Sequence, residues 1–395
     1  MRILQVISTF YPAFAFGGPV KVAYDISKEL AKRGHEVEVF TTNAYDQTCN
    51  FKPKFREQLM DGFKVTYFNN LIRSGNIFFS PEMIVALQKK LKEFDVAHTH
   101  FGRQAYDIAV DYYSQRYRVP YVLQAHGDLP RIMAKQRLKL IYDLLFSHKV
   151  LKDASKVIAL SQVEVGQYKR MGVPEEKIAI IPNGIDLSEY ADLPPKGSFK
   201  KKFNIPENNR IILYLGRIHK TKGIDLLVKA YSQLVNCMEL KETVLVIAGP
   251  DDGYLHEVKS LASSLSISDS VLFTNFISTE DKRKALVDAD LFVTPSFYGF
   301  PMTFLEACAV GTPIITTTLG DTLEWINGNV GYVTPPTYYD LAKAAYTIIS
   351  DAELAEKFSR NCRKIVRSEF SLKKTVDRLE QVYKDVVEVN EARRP

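Results

Sequence analysis

At 395 residues, 46% of them hydrophobic and 25% charged, the chain has the composition of an ordinary soluble globular protein and the length for two domains. It lacks the run of roughly 18 apolar residues that a membrane span needs. A formal net charge of +6 suits an anionic ligand or an anionic membrane surface, and without a long basic block or a recognised binding module it argues against nucleic acid. Cys49, Cys237, Cys308 and Cys362 are scattered, with neither metal-ligand pairs nor a small-domain disulfide pattern, which predicts a reducing, cytoplasmic setting.

The start, Met1 to Ile7, is too short for the apolar core of a signal peptide and reads as the first strand. Short β-branched runs then alternate with amphipathic helices, the pattern of a parallel sheet covered on both faces. Strands are expected at Ile3 to Ile7, Val37 to Thr41, Val65 to Phe68, Val96 to Thr99, Tyr121 to Gln124, Val157 to Leu160 and Ile178 to Ile181. Phe16-Gly17-Gly18-Pro19 opens a helix with Val20, Ala23, Ile26, Leu30 and Ala31 on or near one face. Gly17 and Gly18 either let backbone approach a ligand without a Cβ in the way or simply turn the chain into the helix. There is no Gly-x-Gly-x-x-Gly fingerprint and no phosphate-loop Gly-Lys-Ser/Thr.

His126 follows the strand Tyr121 to Gln124 and precedes Gly127-Asp128, so an imidazole stands in a loop at a strand's carboxyl end. His100, ending the preceding strand, is a weaker candidate for the same place. Arg131 to Lys152 reads as a helix in which Arg131, Lys135, Arg137, Lys139, Lys149 and Lys152 alternate with Ile132, Met133, Leu138, Ile141, Leu144, Leu145 and Phe146. Its apolar stripe is expected in the core with the lysines in water. A basic amphipathic helix lying on an anionic membrane is the other reading.

Leu187 to Lys202, rich in Pro, Gly, Ser and Lys, is the expected linker. The second half runs through strands near Ile211, Val244, Val271, Leu291, Ile314 and Gly331. Gly216-Arg217-Ile218-His219-Lys220-Thr221-Lys222-Gly223 follows Ile211 to Leu215, placing Arg217 and Lys222 at a strand's carboxyl end. Further on, the apolar run Ala289 to Thr294 leads through Pro295-Ser296-Phe297-Tyr298-Gly299-Phe300 into a helix with Pro301 in its first turn and Gly311 just past its end, the usual helix punctuation. Strand, tight loop and helix in that order leave free backbone N–H groups at the carboxyl edge of a sheet, an arrangement that binds phosphate. Glu306, on the face of Met302, Thr303, Ala309 and Val310, needs a partner if buried: a ribose diol, or an Arg or Lys from a neighbouring helix. The last segment, Leu372 to Glu388, is helical, with Val376, Leu379, Val382, Tyr383 and Val386 giving an apolar stripe.

Taken together, Ile181-Pro182-Asn183-Gly184-Ile185-Asp186, the Gly216–Gly223 turn and the Glu306 helix resemble the retaining glycosyltransferases of family four, whose fold is GT-B. The resemblance runs through nearly the whole chain and implies an α/β protein of two Rossmann-like domains with parallel sheets facing a central cleft. Residues 1–188 would bind the acceptor, residues 189–371 the nucleotide sugar, and the helical segment 372–395 would return to the first domain. By the same resemblance Arg217 and Lys222 contact the diphosphate and Glu306 the nucleotide ribose. The amides of Gly299, Phe300, Pro301, Met302 and Thr303 hold phosphate or sugar oxygens, Phe276 and Ile277 edge the base, and His126 lies near the sugar and the acceptor. No metal or other cofactor is expected. The acceptor is a hydroxyl on a glycan, a lipid-linked sugar or a small molecule, and contact with the inner face of a membrane is a further expectation.

One departure stands out. The family has two glutamates separated by seven residues, and the first, associated with the transferred sugar, falls on Tyr298, while Gly320-Asp321 stands where a glycine pair is common and Glu324 keeps the nearby acidic position. A phenol stays neutral at pH 7 and can donate one hydrogen bond. Three functions therefore stay open: a retaining sugar transfer, a GT-B relative with a different reaction (a nucleotide-sugar epimerase or a sucrose-synthase-like enzyme), and a non-catalytic nucleotide-sugar-binding protein.

Overall fold

The computed structural model describes residues 1–46, 49–74, 77–131 and 136–392. The chain divides into two compact units, Met1–Gly184 with Leu372–Pro395, and Ile185–Ser371. The division falls just after Gly184, a few residues ahead of the sequence-based boundary.

The first unit is built on β1 (Arg2–Val6), β2 (Glu36–Thr42), β3 (Glu57–Met60) and β4 (Phe63–Phe68), a small hairpin of β5 (Ile72–Ser74) and β6 (Ile77–Phe79), and then β7 (Val96–His100), β8 (Tyr121–Gln124), β9 (Lys156–Ala159) and β10 (Ile178–Ile180). Its sheet order is β10-β9-β8-β7-β1-β2-β4-β3. Every pairing is parallel except β3 with β4. The seven strands expected from sequence are present within a residue or two. Most are continuous apolar runs because helices cover both faces of a parallel sheet. The edge strand β3 was missed because its sequence, Glu-Gln-Leu-Met, faces water and carries no alternation.

The terminal helix, Leu372–Ala392, packs on this unit through Leu372, Val376, Leu379, Tyr383 and Val386. Arg33, at the end of the helix Gly18–Lys32, bonds to Asp377 at 2.7 Å and to the Lys373 carbonyl at 3.0 Å. Glycine is required at 184 because the helix begins against it. A Cβ there would lie 2.5 Å from Thr375 Oγ1 and 2.7 Å from Leu372 Cα, distances that only a hydrogen tolerates.

The second unit holds β11 (Arg210–Leu215), β12 (Thr243–Ala248), β13 (Val271–Asn275), β14 (Leu291–Val293), β16 (Ile314–Thr317) and β18 (Gly331–Thr334), with β15 (Ser296–Phe297) paired to β17 (Leu319–Gly320) beside them. The sheet order is β13-β12-β11-β14-β16-β18, parallel throughout. This is the doubly wound Rossmann order, whose direction of winding reverses between β11 and β14. Ligands of such sheets bind at the carboxyl ends of the two strands flanking the reversal. In the first unit the corresponding reversal lies between β1 and β7.

Candidate functional site

The winding reversal of the second unit brings together the two stretches singled out by their sequence. β11 and β14 are neighbours, with Ile212 opposite Leu291 and Leu213 opposite Phe292, so their following loops leave the sheet on the same edge. The loop after β11 is tied to the end of β12: Ile218 N–H donates to the Pro250 carbonyl at 2.9 Å, and Asp252 N–H to the Ile218 carbonyl at 3.0 Å. The turn Lys220–Lys222 ends at Gly223 in the left-handed region, φ 67°. A Cβ at Gly223 would meet Pro295 Cβ at 3.1 Å, so the Lys222 turn abuts the start of the loop after β14.

The two cations differ in their surroundings. Arg217 Nη1 donates to Asp252 Oδ2 at 2.6 Å. Lys222 is half-buried, and its ammonium has no hydrogen bond or ion pair among the described residues. Burial first, and then the neighbouring Arg217 charge, push its ammonium pKa down. An enclosed cation beside another cation is a poor arrangement for stability and a good one for receiving an anion.

The loop after β14 differs from expectation at Gly299 and Pro301. The Gly299 N–H is already engaged, donating to Asp321 Oδ2 at 2.7 Å, while Asp321 N–H donates to the Phe297 carbonyl at 2.9 Å. Gly299 therefore does not offer a free amide. Pro301 has no N–H and stands as N-cap of the helix Met302–Val310, one position earlier than expected. The Phe300 side chain is buried, with its ring centroid 5.5 Å from that of Phe370 and 6.1 Å from that of Trp325, so it belongs to the core. The first-turn amides of Met302 and Thr303 have no acceptor within their helix. Tyr298, half-buried, precedes Gly299.

Glu306 combines both readings made from sequence. It is only 6% exposed. Its Oε1 accepts from Lys282 Nζ at 2.6 Å, an inter-helix pair with the helix Thr279–Asp288. Its Oε2 is buried without any partner, which is unusual enough to need a reason. Phe276 and Ile277 follow the sheet's edge strand β13, two strands from the reversal, with Phe276 exposed.

Asp252, Lys282 and Asp321 were not among the expected site residues. Asp252 could have been suspected, since Gly249-Pro250-Asp251-Asp252 follows an apolar strand just as Gly216-Arg217 does. Lys282 lies in the charged run Glu280 to Lys284 and carries no local signal.

In the first unit, Gly17 is the N-cap of the helix Gly18–Lys32, with φ 86°, so the two glycines form the junction between the loop after β1 and that helix. His126 follows β8 in the left-handed region, φ 52°. Its Nε2 is 2.7 Å from His100 Nδ1, and the two rings meet edge to edge, nearly coplanar (10°), with centroids 5.0 Å apart. Burial pushes the His126 imidazole down to about 3, which keeps it neutral at pH 7.

The basic segment after residue 131 overturns an expectation. Ile132, Met133 and Lys135 lie outside the described residues, but the helix Gln136–Tyr142 buries nothing. It continues through a wide π turn, Asp143–Ser147, into the helix His148–Asp153. Asp143, Ser147, Val150 and Leu151 point inward, and Asp143 is held by Arg103 at 2.8 Å. Leu138, Ile141, Leu144 and Leu145 are instead 57, 53, 67 and 63% exposed. The expected apolar stripe therefore faces out, because an ion-paired aspartate and a serine occupy the inward positions.

Among the described residues no helix is long and apolar enough to cross a membrane. Nor could any group of three or more His, Cys, Asp or Glu residues among them hold a metal ion.

Two family models match the chain, Glycosyltransferase Family 4 over residues 16–189 and Glycosyl transferases group 1 over residues 195–365. An uncharacterized glycosyltransferase of Methanocaldococcus jannaschii is 26% identical over 98% of this chain and 99% of its own. The UDP-Gal:alpha-D-GlcNAc-diphosphoundecaprenol alpha-1,3-galactosyltransferase of Escherichia coli is 25% identical over 89% of this chain and 92% of its own. Among solved structures, Anabaena HepE in complex with UDP and glucose matches with a TM-score of 0.78 at 19% identity, covering 98% of this chain and 100% of that one. The sucrose-phosphate synthase of Thermosynechococcus elongatus matches with a TM-score of 0.75 at 20% identity, covering 98% and 100%. The fold is thus the GT-B one expected from sequence.

Proposed function

Because the chain belongs to the group 1 glycosyltransferases, with the group 1 model matched over residues 195–365 and the Family 4 model over residues 16–189, we propose that it transfers a hexosyl group from a nucleotide-diphosphate sugar to a hydroxyl acceptor with retention of anomeric configuration. The observation that carries this reading is Lys222, an enclosed ammonium without a counter-charge beside Arg217 at the winding reversal of the second unit. When the bond from sugar C1 to the phosphate oxygen breaks, its electron pair leaves on the diphosphate. Lys222 and Arg217 offset that growing charge, with no metal needed. Met302 and Thr303 offer amides to the phosphates, and Glu306 Oε2 accepts from a ribose hydroxyl. Phe276 and Ile277 edge the base, and Tyr298 meets the transferred sugar.

The first unit receives the acceptor, with His126 on a carboxyl-edge loop, while Gly17 and Gly18, at the start of its first helix, let backbone approach the donor. A UDP-hexose donor and a lipid-linked acceptor are favoured by the E. coli relative's name and by UDP and glucose bound to HepE. Tyr298, in place of a carboxylate, bears on which sugar is taken. The test is NMR of the anomeric proton during turnover, with and without EDTA. The expected result is a first-formed product with the donor's anomeric configuration at a rate unaffected by EDTA. An inverted product would refute retention, loss of turnover in EDTA would refute the metal-free reading, and an altered nucleotide sugar formed without acceptor would point to the epimerase alternative.

The outward face of residues 136–149 rests, on the same reading, on an anionic membrane surface, where a lipid-linked acceptor would be found. Its exposed Leu138, Ile141, Leu144 and Leu145 would enter the interface while the exposed Arg137 meets lipid phosphates, the usual pattern of interfacial segments. Co-sedimentation with phosphatidylglycerol vesicles is expected, stronger than with phosphatidylcholine. Burying one leucine is worth about 1.5–3 kcal/mol, so the double substitution Leu144→Ser, Leu145→Ser should weaken binding more than about tenfold. Vesicle binding equal in native protein and double variant would contradict this.

A further inference from the structure

Three neighbouring strands of the first unit deliver a connected set of side chains: Gln5 from β1, His98 and His100 from β7, and His126 from the loop after β8. His100 Nε2 lies 2.9 Å from Gln5 Oε1, and His100 Nδ1 lies 2.7 Å from His126 Nε2. His98 stacks on His100 with centroids 4.6 Å apart, and its Nδ1 is 2.7 Å from the Tyr383 hydroxyl of the terminal helix. His100 is thus fixed at both nitrogens, by Gln5 and His126 at its edges, with His98 stacked on one face. Burial pushes all three imidazoles far below their ordinary pKa, His98 and His126 to about 3, so each is neutral at pH 7 and carries one proton.

With Gln5 Oε1 turned toward His100, as it stands here, counting those protons assigns the tautomers. An amide oxygen only accepts, so the proton of His100 sits on Nε2 and its Nδ1 is a bare acceptor. The nitrogen facing that acceptor, His126 Nε2, must carry the proton of His126. The Nδ1 of His126 is then left with a lone pair. Among the described residues it has no hydrogen-bond partner, and it is not enclosed.

We propose that Gln5 and His100 are positioning residues that hold His126 in its Nε2–H form, so that its Nδ1 accepts a hydrogen bond from a hydroxyl of the sugar or the acceptor. The proposal rests on the reading of His126 as a substrate-facing residue. An imidazole held this way is an acceptor only. It cannot donate to a phosphate oxygen, and with so weak a basicity it orients a hydroxyl rather than removing its proton. That assigns His126 to the hydroxyl side of the reaction and leaves the diphosphate to Lys222 and Arg217. His98 and Tyr383 extend the same set to the terminal helix, so that helix contributes to the packing around His100.

The test is nitrogen NMR of protein with 15N-labelled histidine, in the native form and in Gln5→Leu and Gln5→Glu, with thermal melts to confirm folding. The native spectrum should show His126 with a protonated Nε2 and a bare Nδ1. Gln5→Leu should yield a mixture of tautomers, and Gln5→Glu, still an acceptor, should restore the single form. In transfer assays Gln5→Leu should lower kcat several-fold, up to about tenfold. A Gln5 amide turned the other way would donate to His100 and put the His126 proton on Nδ1. That spectrum, or an unchanged tautomer or kcat in Gln5→Leu, would overturn the proposal. The spectra need no substrate, so a protein without transferase turnover would refute the functional reading while the tautomer assignment is still decided.

Discussion

Lys222→Met is expected to lower kcat on the order of 10²–10³-fold, the usual loss when one preorganised group facing a developing negative charge is removed. The effect on donor affinity should be smaller, because the charge that Lys222 meets grows as the glycosidic bond breaks. Methionine keeps most of the stem's volume, so the packing of the turn against Pro295 survives. The unliganded variant should melt at or above the native temperature. Burial and Arg217 depress the Lys222 pKa in the fold, and a cation so treated costs stability wherever it stays protonated. The sign follows: native stability should rise with pH once it passes the depressed folded pKa and until the ordinary lysine value of about 10.4 is reached. The melting difference between variant and native should shrink over the same interval. A variant that loses stability and activity together would instead mark Lys222 as a packing residue. Paired calorimetry and steady-state kinetics separate the two.

Glu306→Gln is the second large effect. A hydrogen bond to an ionised carboxylate contributes about 1.5–3 kcal/mol, so donor affinity should fall about 10- to 150-fold with kcat at saturation changed far less. The alternative role for Glu306, pairing with Lys282 at 2.6 Å, predicts a different outcome: lower stability and unchanged nucleotide binding. A nucleotide without its ribose 2′ and 3′ hydroxyls distinguishes them. It should bind the native protein weakly and lose nothing further in the variant, because each change removes the same bond. Additive losses would place the ribose elsewhere. Isothermal titration gives all four affinities.

The features legible in the sequence were those that burial or backbone geometry imposes locally. Parallel strands covered on both faces showed as apolar runs, and Gly311 at φ 90° closes the Glu306 helix where its punctuation placed the end. What escaped depended on distant partners. β15 and β17 are two residues each, too short for any periodicity, yet their pairing brings Asp321 onto the Gly299 amide. The segment 136–149 misled because hydrophobicity alone assigned the inward face. Arg103, about 40 residues upstream, draws Asp143 inward, and the π turn over Asp143–Ser147 shifts the stripe outward. Lys282 likewise meets Glu306 across 24 positions of sequence. Such pairings follow from the three-dimensional arrangement of the chain, and one sequence does not carry them.

The most direct test of a nucleotide-sugar site at the β11–β14 reversal is a thermal-shift titration of native protein and Glu306→Gln against UDP, GDP, ADP and CMP and their sugars. Ligand at a hundred times its dissociation constant stabilises the native state by about 2.7 kcal/mol. One base should raise the native melting temperature clearly and the variant's far less at the same concentration, naming the donor nucleotide in the process. If no nucleotide shifts a well-folded native protein, or if native and variant shift alike, Glu306 is a structural partner of Lys282 and the donor site is not where Arg217, Lys222 and Glu306 place it.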